Sequence, residues 1–189
     1  MLIRRMMKAF LLAAGLGVRL RPMTNTVPKC LIPIDSKPML HHWLSLFKEH
    51  GITDILINLH HLPQKVVEYV KSLKVRMQIL NFEFPNLSHC HQALACSVPG
   101  MADRSDFNIT LFYEEALLGS AGTVRENADW VCFETEFIIA YADNLTNANL
   151  TRLLQFHRAK KPILTMGLFH SDYPQACGIA SLDEDGMVV

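Results

Sequence analysis

An apolar run, Phe10 to Ala14, breaks at Gly15 and Gly17 and turns at once into basic, proline-rich sequence: Arg19, Arg21, Pro22, Pro28, Lys29 and Pro33. A buried strand reads as such a run, and the glycines after it let main-chain N–H groups approach an anion with no Cβ in the way. Arginine can fork two oxygens of a phosphate, and lysine adds a point charge. The stretch predicts a strand over 8–14 that feeds an anion-binding loop over 15–37. An ordinary βα turn with exposed arginines explains the glycines alone equally well. Two known glycine motifs are excluded. The dinucleotide fingerprint needs a third glycine where Leu20 stands, which argues against an NAD-binding module, and the P-loop pattern is absent.

The remaining chain alternates short apolar runs with helical spacings. Pro38 opens a helix carrying Met39, Leu40, Trp43, Leu44 and Phe47, with Gly51 as its stop. Ile52 to Leu59 contains a second buried strand that ends at His60-His61, a pair expected to shape the rim. Pro63 opens a helix with Val66, Val67, Val70 and Leu73 on one face. Ile109 to Tyr113 returns to strand pattern, and Gly119 and Gly122 sit in a second glycine loop leading into a helix near 122–129. Phe137 to Ala142 predicts a strand ending in Asp143. Asn149 caps a helix with Leu150, Leu153, Leu154 and Phe156. Ile163 to Phe169 predicts a further strand, and the polar turn 183–186 predicts a hairpin over 179–189.

This alternation implies an α/β fold with a mostly parallel, or mixed, sheet wrapped by helices, and ligands at the carboxyl ends of its strands. Gly15 and His60 lie at such ends. Residues 76–102 show no clean period and are expected to form an irregular insertion. The whole of 1–189 reads as a single domain, with 1–6 as an extension.

Composition narrows the partners. Lysine plus arginine equals aspartate plus glutamate, 18 each, so a general nucleic-acid or membrane-surface binder has no support. No apolar run approaches the ~20 residues of a membrane span. The basic start followed by an apolar run mimics a secretory leader but lacks a convincing cleavage site. Five scattered cysteines with no CxxC pair fit a reducing cytoplasm. A zinc site on His89, Cys90, His91 and Cys96 would have poor tetrahedral spacing.

The segment GLGVRLRPMTNTVPKCLIPI closely resembles the signature of sugar-1-phosphate nucleotidyltransferases, G-x-G-x-R-L-x-P-x-T-x-x-x-P-K-x-L-x-P. Gly15, Gly17, Arg19, Leu20, Pro22, Thr24, Pro28, Lys29, Leu31 and Pro33 all fall on it. Glu115 to Gly122 resembles the family's E-x-x-L-G-T-A-G stretch, with Ser120 in place of threonine.

The resemblance implies a Rossmann-like three-layer α/β/α fold of the nucleotide-diphospho-sugar transferase type. It implies that Arg19 and Lys29 bind and activate nucleotide phosphates. It implies that Ala13, Ala14, Gly15, Gly17, Gly119 and Gly122 border the base and sugar, and that Gly178 lies near the sugar phosphate. Asp143, after its apolar strand, takes the place of the family's Mg²⁺-binding aspartate, although Ala142 replaces the usual glycine before it. The substrates implied are a nucleoside triphosphate and a sugar 1-phosphate, nearest to the mannose-1-phosphate guanylyltransferases. Glucose-1-phosphate thymidylyl- or uridylyltransferase is the rival within the class. A homo-oligomer is compatible with the family. Its members usually continue further and supply a lysine for the sugar phosphate and a second metal carboxylate. The alternative is therefore a truncated, non-catalytic domain that binds nucleotide or a partner.

Overall fold

The computed structural model describes residues 7–81 and 107–188. The expected extension 1–6, most of the 76–102 segment, and His89, Cys90, His91 and Cys96 lie outside the described residues. Two compact units are formed, Met1–Ala148 and Asn149–Val189.

In the first unit, β1 (Lys8–Leu12) is followed by three short 3-10 turns and a small antiparallel hairpin, β2 (Pro33–Ile34) with β3 (Lys37–Pro38). Next come α1 (Met39–Glu49), β4 (Asp54–Leu59), α2 (Pro63–Ser72), β5 (Arg76–Leu80) and β6 (Asn108–Tyr113). The unit continues with α3 (Gly119–Glu126), α4 (Ala128–Val131) and β7 (Phe137–Tyr141). Helix ends follow local chemistry. Pro63 starts α2 because a first-turn proline sacrifices no hydrogen bond, and Gly51, with φ +70°, follows the end of α1.

The main sheet has five strands in the order β5-β6-β4-β1-β7, and all four pairings are parallel. Both side-chain parities of β1, β4 and β6 are buried, as a sheet covered on both faces requires. Phe10, Leu12, Leu56, Phe112 and Val131 form a cluster with Val124 and Trp130. Leu11, Ile55, Ile57 and Leu111, of the opposite parity, are fully buried as well. This is the expected α/β architecture with a mostly parallel sheet.

Part of the 76–102 expectation is corrected. Residues 76–80 are not irregular but form β5, with Met77 and Ile79 half-buried and Arg76, Gln78 and Leu80 exposed. That period of two is a strand pattern, and β5 pairs in parallel with β6 from Arg76↔Asn108 to Leu80↔Phe112.

The strand order reverses at β1, because the chain builds outward through β4 on one side and later adds β7 on the other. A crevice opens at the carboxyl ends beside such a switch point. The residues that follow β1 and β7 are Ala13–Gly15 and Ala142-Asp143.

In the second unit, α5 (Leu150–Lys160) begins at Asn149, whose side-chain oxygen accepts the Arg152 N–H at 2.9 Å, as expected of a cap. The strand expected over 163–169 is absent, and its apolar side chains are exposed with no ladder partner among the described residues. The expected hairpin keeps its turn, with Gly186 N–H on the Asp183 carbonyl at 3.0 Å, but its arms reduce to one bridge, Leu182↔Val188. No helix among the described residues is long and apolar enough to cross a membrane.

Candidate functional site

The cleft at the switch point has two adjoining lobes. The inner lobe, about 230 Å³, lies between the end of β1 and the start of α3, with Ala13, Ala14 and Gly15 facing Leu117, Gly119 and Ser120. The outer lobe, about 430 Å³, is lined by the loop Gly15–Leu20 with Lys29 and Asp143. Gly15, Lys29 and Asp143 line both.

Chemically the lobes differ. Leu12, Ala14, Leu117 and Tyr141 give the inner lobe apolar walls. Its polar floor is already committed. The Ala13 N–H donates to Asn58 Oδ1 at 2.6 Å, and Asn58 Nδ2 donates to Glu114 Oε1 at 2.8 Å and to Thr123 Oγ1 at 3.1 Å. The Thr123 hydroxyl donates to Glu114 Oε1, and the Leu118 N–H donates to Glu114 Oε2 at 3.2 Å. Leu118 caps α3, so a buried carboxylate already sits at the positive end of that helix. Across the cleft mouth, the Tyr141 hydroxyl donates to Ser120 Oγ at 2.9 Å.

The outer lobe carries the free charge. Lys29 Nζ lies 2.6 Å from Asp143 Oδ2. Arg19, exposed in the first 3-10 turn, has no ion-pair partner among the described residues. Gly17 makes this loop possible. Its φ is +64°, and a Cβ there would stand 2.7 Å from Thr24 Cγ2. Thr24 is buried and its hydroxyl donates to the Gly17 carbonyl at 2.8 Å, which closes the loop on itself. His61 Nε2–H donates to the Thr24 carbonyl at 2.7 Å, and His60 Nδ1–H to the Glu114 carbonyl at 2.8 Å. Both histidines shape the rim, as expected.

Of the residues singled out by sequence, Ala13, Ala14, Gly15, Gly119, Lys29 and Asp143 come together on the inner lobe, and Arg19 and Gly17 on the outer. Gly122 lines neither lobe; it packs within α3, where a Cβ would meet Leu118 Cβ at 3.0 Å. Gly178 belongs to the second unit. Asn58, Glu114 and Thr123 were not singled out. A polar residue inside the apolar run Ile55–Leu59 was the available signal for Asn58, because a buried amide needs partners. In the E-x-x-L-G stretch the sequence points to Glu115, which is exposed, whereas Glu114 is the buried one.

Cys30 lines the inner lobe, and burial pushes its thiol up to about 12. It stays protonated near neutrality and is no nucleophile. Among the described residues no group of three or more His, Cys, Asp or Glu could hold a metal ion. Asp143 alone offers an exposed carboxylate to the lobes, a donor set that suits Mg²⁺ shared with phosphate oxygens and water rather than a resident ion.

The nucleotidyl transferase family model matches residues 8–189. The chain belongs to this family. Similar proteins include a UTP–glucose-1-phosphate uridylyltransferase of Synechocystis sp., 29% identical over 188 residues, covering 97% of this chain and 43% of that protein. A probable glucose-1-phosphate cytidylyltransferase of Bacillus subtilis is 28% identical over 160 residues, covering 85% and 59%. Probable mannose-1-phosphate guanylyltransferase 1 of Oryza sativa subsp. japonica is 24% identical over 181 residues, covering 95% and 42%. The chain spans about half the length of the curated relatives it matches. Among solved structures, HddC from Yersinia pseudotuberculosis aligns with a TM-score of 0.57 at 17% identity, over 80% of this chain and 54% of that one. A UDP-glucose pyrophosphorylase complexed with UDP-glucose aligns with a TM-score of 0.56 at 16% identity, over 82% and 54%. These likenesses show the nucleotidyl transferase fold. The names of the relatives span uridylyl, cytidylyl and guanylyl transfer.

Proposed function

We propose that this chain binds a nucleoside triphosphate across both lobes and is the nucleotide-holding part of a sugar-1-phosphate nucleotidyltransferase. The apolar inner lobe suits a base and ribose, and the outer lobe suits phosphates. One observation carries the reading: among the described residues, the only charged side chains shared by the two lobes, Lys29 and Asp143, meet at their junction.

In the reaction, an oxygen of the sugar 1-phosphate attacks the α-phosphorus, the bond to the β-phosphate oxygen breaks, and pyrophosphate leaves. No covalent enzyme intermediate is needed. Lys29 exchanges Asp143 for a phosphate oxygen and neutralises charge there, and Arg19 forks oxygens further out. The glycine loop aligns the triphosphate so that attack is intramolecular in effect. Asp143, released from Lys29, would hold Mg²⁺. The ion, when bound, supplies further charge neutralisation on the phosphates. The signature resemblance makes GTP with mannose 1-phosphate the first pair to try, and the scattered cysteines and these substrates suit the cytoplasm.

The test is pyrophosphate release with Mg²⁺, each of the four nucleoside triphosphates and a panel of sugar 1-phosphates. The reading expects release with at least one pair and its loss in Arg19→Ala and Asp143→Ala. Saturable nucleotide binding without release assigns this chain the binding role alone. Absence of binding to every nucleotide contradicts the proposal.

A further inference from the structure

Glu114 lies almost wholly inside the protein, and the described residues give it no cationic partner. What it has is donors. Asn58 Nδ2 and the Thr123 hydroxyl meet Oε1, and the Leu118 N–H meets Oε2. A buried carboxylate held only by neutral donors is costly unless every lone pair is well used. Here the donors come from both walls of the cleft. Asn58 belongs to β4 and also accepts the Ala13 N–H that ends β1. Leu118 and Thr123 belong to the start of α3, the opposite wall.

We propose that Glu114 is a positioning residue that sets the separation of the two glycine-bearing walls, and through it the affinity of the cleft for a nucleoside triphosphate. The inference rests on the nucleotide reading above. The donor–acceptor pattern is directional. With a carboxylate at 114, Asn58 must turn its NH₂ toward Glu114, which leaves Oδ1 free to accept from Ala13. The wall after β1 is thereby locked to the wall before α3. Gly119 and Thr123 both lie in α3, so the same lock holds the helix start that carries the glycine bordering the inner lobe.

Direction makes the idea testable by exchange. Glu114→Gln keeps the volume but supplies one acceptor oxygen and a new NH₂, so one donor must face a donor. Asn58→Asp puts two carboxylates together. Combining Asn58→Asp with Glu114→Gln moves the charge to the β4 side of the pair and restores complementarity. The carboxylate now on β4 accepts from the Ala13 N–H and from the amide NH₂ introduced after β6. The oxygen of that amide accepts from the Leu118 N–H. Thr123→Val is a milder cut.

Nucleotide dissociation constants, with Mg²⁺ and each of the four triphosphates, are measured alongside melting temperature for all five proteins. The expected result is an affinity loss of about tenfold or more in each charged-network single variant, less in Thr123→Val, and recovery in the double variant. Recovery of binding in the double variant is the readout that mere loss of packing would not give, and it counts equally if a single variant fails to fold. Native affinity in folded Glu114→Gln, or a double variant no better than its parents, overturns the proposal. A native chain that binds no triphosphate defeats the nucleotide reading instead, and melting temperatures then report whether the exchange still restores the lock.

Discussion

At the scale of single residues, Lys29 and Asp143 do two things that separate cleanly. Their pair is partly exposed, with side chains 18% and 39% accessible, so solvent screens it and it adds under about 1 kcal/mol to stability. Lys29→Met is expected to leave the melting temperature nearly unchanged by calorimetry. Cys30 gives the opposite case. Burial raises its thiol to about 12 from an ordinary 9.0. Below the ordinary value both folded and unfolded chains keep the proton, so the contribution is fully present. As pH rises from 9 toward 12, the unfolded chain ionises first and the contribution is progressively lost. At pH 10 the native chain is expected to lose about 1–2 kcal/mol relative to Cys30→Ala, read as a shift in urea midpoint between pH 8 and pH 10. At pH 8, iodoacetamide is expected to modify the exposed Cys132 and Cys177 before Cys30, which peptide mapping resolves.

At the scale of elements, the loop after β1 depends on one backbone position. Gly17→Ala meets both a φ of +64° and a 2.7 Å approach to Thr24 Cγ2. The substitution is expected to cost about 1–3 kcal/mol and to loosen Arg19 and Lys29, seen as a lower urea midpoint together with weaker nucleotide binding. Such a loop was legible in the sequence because its glycines, cations and prolines fall together on a long signature of fixed spacing, whereas the glycines alone fit an ordinary βα turn equally well. The strands of the first unit were legible because apolar runs bounded by turn residues admit few readings. β5 was missed because its apolar positions are only half-buried and alternate with Arg76 and Gln78. The floor of the cleft was illegible for a different reason. Asn58 lies 56 residues from Glu114, and Thr123 lies 65 residues from Asn58. The parallel pairing of β1, β4 and β6, together with the start of α3, brings these polar groups into one network.

At the scale of the whole molecule, the two units differ in how much they bury. The first holds nearly all of the described apolar core, whereas Leu150 is the one buried large apolar side chain described in the second. An 11-residue helix with so little covered surface is marginal in water. Limited trypsin digestion is therefore expected to cut at Arg158 or Lys160 before it cuts within α2, which mass spectrometry of early fragments checks. The same division of labour agrees with the site, since every residue lining the two lobes of the cleft belongs to the first unit. The measurement that bears most directly on the central claim is a titration of the native chain and Lys29→Met with Mg²⁺ and each nucleoside triphosphate. Saturable binding of at least one triphosphate by the native chain, weakened about 10–100-fold in Lys29→Met at unchanged melting temperature, is the predicted result. Equal affinity in both proteins, or no saturable binding to any of the four, would contradict it.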